Sequence, residues 1–594
     1  MQLSSFDWGI IATFFALSLA IGLLAAGKAG KSSSNFFLAG RNMPWWLLGV
    51  SMVATTFSAD TPNLVTDIVR KNGVAGNWVW WAFLLTGMLT VFVYARLWRR
   101  SGVLTDIEFY ELRYGGRSAA FLRGFRALYL GVFFNIMIMA SVSLAAIKIG
   151  GVMLGLSPLQ TILLAGIVTV IYSSLGGLTG VLITDFFQFV IAMVGSVWAA
   201  KVAVGLPEIN GLENLFTHTE VSRLLGLLPD FSDTGTLIPL LIIPLAVQWW
   251  SVWYPGAEPG GGGYIAQRML SAKNENHAMG ATLLFNIAHY ALRPWPWIIV
   301  ALCSVVVFPT LDSIRQAFPK IPPNIINDDL AYPAMLTFLP AGLVGLVIAS
   351  LIAAYMSTIS THLNWGSSYV VNDFYKRFVK PQASEKELVN VGRITTVALM
   401  IFAGIFALLL ENALQAFNIM LQIGAGTGLI FILRWFWWRV NAWTEISGMA
   451  ISFAVAVYFQ FVHAHLGFEP LAGHWQLVMG VGITTVGWLL VTFLTPPERM
   501  ETLRKFYKLV RPASVGWQPI FRTSGGTEVS ENKGRLPLEI LGMFVGCLTV
   551  YSALFSTGFW IYGNVLCGAV TSLVATAGTI SLFFLWNKLS RNNE

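Results

Sequence analysis

Charge is what this sequence has least of. Asp, Glu, Lys and Arg make up 11% of its 594 residues, less than half of the roughly 25% usual in globular chains. So few ionic groups cannot cover a water-facing surface, which excludes the string of about four soluble domains that this length would otherwise suggest. Cysteine is nearly missing too. Cys303, Cys547 and Cys567 all lie inside apolar runs, where they pack as small hydrophobes, so no disulfide or cysteine metal framework is expected. Clustered histidines are also lacking: His277, His289, His362, His463, His465 and His474 are scattered, which argues against a membrane enzyme. His463 and His465 support no more than a weak incidental metal site. A channel would need a repeated filter motif, and none is seen. A sensor would need a signalling domain, and the largest polar insert, Pro496 to Arg535, is too small for one.

What the chain has in abundance is hydrophobic residues, 56% of the total. Apolar runs of about 20 residues, each long enough to cross roughly 30 Å of hydrocarbon, recur from Phe6 to Trp586. They predict an all-α polytopic membrane protein of about fifteen spans: 6–27, 42–69, 76–97, 125–154, 158–176, 181–205, 236–254, 278–309, 334–360, 391–410, 414–434, 442–465, 476–495, 536–557 and 560–587. The first run has no basic segment before it, carries Asp7, and is followed by Lys28 and Lys31. It reads as a retained span with its N-terminus outside, not as a cleaved signal. With that orientation 29 of the 37 Lys and Arg fall on the cytoplasmic side, as the positive-inside rule requires. The outer loop 206–235 carries Glu208, Glu213, Glu220, Asp230 and Asp233 against Arg223. An odd span count places the C-terminus inside. The net charge of +8 therefore describes a basic cytoplasmic face and a multi-pass protein of the cell membrane, with the lipid bilayer rather than nucleic acid as its surroundings.

Two spans are interrupted. Span two runs from Gly49 through Ala54, Phe57 and Asp60 to Pro62, and Pro62 disfavours helix at Thr61 and removes a donor, so carbonyls in the preceding turn lose their partners. Span seven contains Pro239 and Pro244 and runs into Trp249-Trp250-Ser251-Val252-Trp253-Tyr254-Pro255 and the glycines Gly260 to Gly263. Freed backbone groups in a membrane must face protein, water or an ion. Broken helices five spans apart suit the inverted repeats of secondary transporters; the alternative is that Pro and Gly only kink these helices for packing. In span nine, Ala354, Ser357 and Thr358 share one helix face. With carbonyls from span two they would make a five-oxygen, carboxylate-free shell suited to a weakly held monovalent cation. Equally, the two hydroxyls could bond back to their own helix.

At these segments the sequence resembles the sodium:solute symporter family. The resemblance rests on Asn35 to Arg41 with Pro44-Trp45-Trp46, Ala54 to Asp60, Thr105 to Tyr114, Leu175 to Leu178 with Thr184-Asp185 and Gln188, Tyr264 to Arg268, and Ala354 to Ser360 with Asp373 and Tyr375. These motifs keep family order over about residues 6 to 465. The resemblance implies a leucine-transporter-type core of five plus five inverted-repeat spans, here spans two to eleven, with one extra N-terminal and about four extra C-terminal spans. It divides the chain into an N-terminal span and loop (1–41), a first repeat (42–205), an outer loop (206–235), a second repeat (236–465) and C-terminal spans (466–594) with a cytoplasmic linker at 496–535. It implies Na+ as the co-transported ion, held by carbonyls of Ala54, Phe57 and Ala354 and hydroxyls of Ser357 and Thr358. Asp185 matches a family acid on the sodium exit path or in a second sodium site; from its own surroundings it reads as a helix N-cap. One departure is the added Pro255 to Gly263 segment, which makes alignment of substrate contacts on span seven unsafe.

The solute is expected at mid-membrane near Asp60, Thr61, Asp67, Trp80, Gln248, Trp249, Trp250, Trp253, Tyr254, His289 and Arg293. Arg293 is expensive inside a span and marks function; it either binds a substrate carboxylate or is neutralised by Asp60 or Glu258, the internal pair being preferred. His289 reads as a core histidine ahead of a proton carrier. Tryptophan and tyrosine faces suit a sugar ring, so a sodium-coupled importer of a sugar or sugar-like solute comes first. An importer of a small organic anion or amino acid comes next, and a sodium-dependent membrane sensor last. No protein partner is implied.

Overall fold

The computed structural model describes residues 3–29, 32–251, 258–319, 321, 325–410, 421, 424, 426–513, 515–522 and 535–591. Among them regular structure is helical, apart from one bridge between Met43 and Ala272. Eleven helices of the described residues are long and apolar enough to cross a membrane, and three more are apolar but shorter. The principal helices are α1 (Ser5–Ala29), α2 (Trp45–Thr56), α3 (Thr61–Asn72), α4 (Val74–Ser101), α5 (Gly116–Leu154), α6 (Pro158–Val204), α7 (Thr234–Ala246), α8 (Gly263–Ser271) and α9 (Glu275–Val307). They continue with α10 (Leu343–Val379), α11 (Glu385–Leu409), α12 (Gly428–Leu433), α13 (Ala442–Val462), α14 (Gly473–Leu494), α15 (Met500–Val510), α16 (Arg535–Ile561) and α17 (Val565–Arg591). Large apolar side chains such as Leu24, Leu566, Leu573 and Phe583 stay exposed, as a hydrocarbon solvent allows.

Against the fifteen spans expected, eleven helices among the described residues qualify by length and apolarity, and the expected positions differ from the helices in several places. The span expected at 414–434 lies largely outside the described residues; α12 is its far end. The ninth span begins at Leu343, because Pro340 and Gly342, at φ +86°, end the chain's approach to it. It then runs well past 360: Thr361, His362, Asn364 and Ser367 are polar but buried against protein, so hydropathy alone closes the span too early. The fifth and sixth spans are two helices of α6 that meet without a connecting loop at a kink at Gly177, whose φ of +53° and ψ of −160° few residues other than glycine adopt.

Long-range contacts hold this arrangement. Asp7 of α1 is buried, and its Oδ1 accepts the backbone N–H groups of Gly342 and Gly345, both at 2.7 Å, capping α10 from another helix. α6 packs against α1, α2 and α10. The α16–α17 hairpin lies on α4 at close range: a Cβ on Gly546 would fall 2.7 Å from the Met88 sulfur, and one on Gly542 2.8 Å from the Phe92 ring. Such small-residue contacts are how membrane helices gain packing without a hydrophobic driving force between them.

Candidate functional site

The break in span two comes a turn earlier than the proline. α2 ends at Thr56, Phe57 leaves helical geometry at φ −85° and ψ +68°, and α3 resumes at Thr61 with Pro62 in its first turn, where the missing N–H costs nothing. The Phe57 N–H is shared between the carbonyls of Val53 (2.8 Å) and Ala54 (3.1 Å). Across from this end of α2 lies the Ala354–Thr358 face of α10. Thr358 Oγ1 donates to the Thr55 carbonyl at 2.8 Å and also lies 3.1 Å from the carbonyl of Ala354.

Ser357 turns the other way, its hydroxyl donating to Asp185 Oδ1 at 2.7 Å. Asp185 sits inside α6 with no exposure, so it is not a helix N-cap. Its second oxygen accepts from the Ser51 hydroxyl and lies 3.8 Å from Arg268 Nη2. Arg268 in turn donates to Ser51 at 3.2 Å, Thr361 at 2.7 Å and Gln267 at 2.9 Å. A buried pair like this persists because further hydrogen bonds use up its remaining lone pairs and protons. The cluster joins α2, α6, α8 and α10, with the Arg268 guanidinium as the cation among the oxygens of Asp185, Ser51, Thr361 and Gln267. In the sequence Arg268 stood in the Tyr264–Arg268 motif and among the basic residues counted on the cytoplasmic side; the structure instead buries it fully against Asp185.

Beside the break is a cavity of about 90 Å³. Asp60, Thr61, Trp80, His289 and Arg293 all line it. Its other walls include Thr55, Thr56, Phe83, Tyr264 and Tyr290, which sequence reasoning did not assign to the solute. Trp80 stacks on Tyr290 with ring centres 5.9 Å apart and planes at 23°, and its Nε1–H donates to Asn77 at 2.8 Å. His289 is held between Thr56 Oγ1 (3.1 Å) and Arg293 Nη2 (3.2 Å). Arg293 also donates to Thr56 Oγ1 at 3.3 Å and lies over the Trp297 ring, while its Nε has no partner. The internal pair expected for Arg293 is not formed. Among the described residues no carboxylate lies within 4.0 Å of it, Asp60 included, and Glu258 is engaged elsewhere.

Gln248, Trp249 and Trp250 are not walls of this cavity. Gln248 Nε2 donates to the Val79 carbonyl at 2.6 Å, the Trp249 carbonyl accepts from Thr86, and the Trp250 carbonyl presses on Gly428 of α12. Trp253 and Tyr254 lie outside the described residues. Asp67 faces away, paired with Lys71 at 2.7 Å. Within the Pro255–Gly263 segment, Glu258 is buried against Arg126 and lies 3.7 Å from Arg434. Gly260, at φ +84°, packs its Cα on the Tyr94 ring and offers its carbonyl to Trp98 at 2.7 Å. Asp106 accepts the Gly263 N–H at 2.7 Å and the Tyr369 hydroxyl. Burial pushes its carboxyl up to about 6, and Glu258 adds to the rise.

Comparison with known proteins agrees with this architecture. The model of the sodium:solute symporter family matches residues 36–452. A sodium/glucose cotransporter of Vibrio parahaemolyticus is 26% identical over 489 residues, covering 78% of this chain and 87% of that one. A sodium/mannose cotransporter of Bos taurus is 27% identical over 506 residues, covering 80% and 81%. In fold, a Na+-coupled sialic acid symporter solved in a substrate-bound outward-open state superposes with a TM-score of 0.64 at 21% identity, over 84% of this chain and all of that one. This multi-pass membrane protein belongs to the sodium:solute symporter family, with sodium as its co-transported ion.

Proposed function

We propose that the protein imports a sugar or sugar-like solute together with sodium, by alternating access on a five-plus-five inverted-repeat core. The observation that carries this reading is the cavity at the break between α2 and α3, with a stacked Trp80–Tyr290 wall for a ring face and Asp60, Thr61 and Arg293 for its hydroxyls. The sugar cotransporters among its relatives support it. In this proposal sodium binds between α2 and α10, on the carbonyls of Ala54, Phe57 and Ala354 and the hydroxyls of Ser357 and Thr358, with Asp185 on its path toward the cytoplasm. An ion bridging these helices favours the state in which the cavity accepts solute, which is coupling through differential affinity for two states. The N-terminus is placed outside and the C-terminus inside.

A second reading is favoured by one specific observation. Arg293 is buried with no carboxylate within 4.0 Å among the described residues, Asp60 standing farther off across the same cavity, which leaves the guanidinium free to meet a small organic anion as substrate. Sodium-driven uptake into proteoliposomes, challenged with neutral sugars and with carboxylates, separates the two. Competition by neutral sugars supports the first. Competition by carboxylates alone, abolished in Arg293→Gln, supports the second. No accumulation under a sodium gradient with either class would overturn both.

A further inference from the structure

Three membrane helices end at one level on the Arg-rich side of the molecule. α4 finishes at Ser101, α16 starts at Arg535, and Arg535 Nη2 donates to the Leu589 carbonyl near the end of α17 at 2.9 Å. A pocket opens between them and the turn after α15. Its basic lining is Arg96, Arg100, Arg511 and Arg535, and Glu539 is the acid among its walls. Leu97, Phe436 and Leu536 are among its apolar walls.

The charges do not cancel. Arg100 is held by Glu275 in a two-point pair at 2.8 and 3.0 Å. Glu539 is shared by Arg96 and Arg535, the latter at 3.2 Å. Arg511 has no carboxylate within 4.0 Å among the described residues. Among the described residues, four guanidinium groups thus face two carboxylates here. One donor is also left over inside: Arg96 is 5% exposed, and its Nε has no hydrogen-bond partner. An unmet buried donor costs stability unless a ligand satisfies it.

We propose that this pocket binds the phosphate of an anionic phospholipid. Phosphate oxygens match paired guanidinium donors, and basic pockets between membrane helices are recognised sites for anionic headgroups. The pocket is small, about 10 Å³, room for one oxygen-sized group. One phosphate oxygen enters toward Arg96, and the rest of the headgroup stays in the mouth by Arg511. The i, i+4 row from Leu536 continues into exposed Phe544 and Leu548 on α16, a lane for an acyl chain along the same helix. A bound lipid would join α4 to the C-terminal hairpin beside Arg511, which has no carboxylate within 4.0 Å among the described residues.

The test is lipid binding to the purified full-length protein, read by native mass spectrometry with phosphatidylglycerol, phosphatidylcholine and inorganic phosphate as probes. Arg511→Asn removes the unpaired charge with a residue that tolerates its φ of +49°. Arg96→Lys keeps the Glu539 pair and removes Nε. Phosphatidylglycerol is expected to bind in preference to phosphatidylcholine, about fivefold more weakly in Arg511→Asn, with Arg96→Lys also weakened. Equal retention of phosphatidylglycerol by wild type and both variants would overturn the site. Inorganic phosphate displacing phosphatidylglycerol at millimolar concentration would overturn the lipid assignment in favour of a soluble phosphate.

Discussion

The Ser357 hydroxyl donates to Asp185 at 2.7 Å, while its neighbour Thr358 donates to the Thr55 carbonyl at 2.8 Å. Two adjacent hydroxyls of α10 are thus committed to α6 and to α2. A cation held by both must draw their lone pairs inward and compete with these bonds, so ion occupancy and the spacing of α2, α6 and α10 are linked.

Loss of either hydroxyl should therefore weaken sodium more than it weakens the fold. A hydrogen bond or ligand to a charged group is worth about 1.5–3 kcal/mol, and 1.4 kcal/mol is about tenfold in affinity. Ser357→Ala and Thr358→Ala are expected to raise the sodium concentration for half-maximal uptake about tenfold or more, with the yield of folded protein within about twofold of wild type. Sodium titration of transport in proteoliposomes checks this; unchanged activation in both variants would reject the ion site.

Asp185 and Arg268 should behave as one unit. Both have no side-chain exposure and stand 3.8 Å apart with the Ser51 hydroxyl bonded to each. Asp185→Asn leaves the guanidinium buried without its counter-charge, a change that costs about 3–5 kcal/mol when buried pairs are broken. Adding Arg268→Gln should recover part of that loss. Thermal unfolding of the four proteins in detergent gives the coupling directly, and additive losses would mean that the pair does not interact.

Much of this was legible in the sequence, for identifiable reasons. Low charge and long apolar runs indicated the helical membrane fold, because hydrocarbon permits few other choices. Pro62 flagged the break in span two, yet the helix stops at Thr56, since a proline is better placed at the start of the next helix than at the end of the last. Asp60, Thr61, Trp80, His289 and Arg293 meet in one cavity, each having been marked by its cost or chemistry at mid-membrane. Tyr264 and Tyr290 escaped because an aromatic in an apolar helix carries no local signal of which face it lies on. The partner of Glu258 was misjudged for another reason: Arg126 lies over a hundred residues away, and distance along the chain hides such pairs.

The segment between α7 and α8 should be intolerant of small changes at Gly260. Its φ is +84°, and a Cβ there would stand 3.1 Å from the Tyr94 ring. Gly260→Ala combines backbone strain with overpacking, each costing on the order of 1–3 kcal/mol. Gly467, also at positive φ but with nothing within 4 Å, isolates the backbone part, so Gly467→Ala should lose less thermal stability than Gly260→Ala. Equal losses would show that the Tyr94 contact contributes nothing.

Asp106 gives the protein a pH dependence whose sign can be worked out. Its carboxyl is pushed up to about 6 by burial, with Glu258 reinforcing the shift, against about 3.9 in an unfolded chain. A raised folded-state value means that the protonated form is the one the fold favours. Its contribution is complete below about pH 4 and is lost as the pH rises through 6, where an ionised carboxylate must be kept beside Glu258. Asp106→Asn still offers an acceptor to the Gly263 N–H and cannot ionise. The difference in melting temperature between wild type and Asp106→Asn should therefore grow in the variant's favour between about pH 4 and 6 and level off above. Glu258→Gln removes the neighbouring charge that reinforces the shift, so in that background the same rise should be centred at lower pH. A difference that is flat across this range would show that Asp106 does not titrate there.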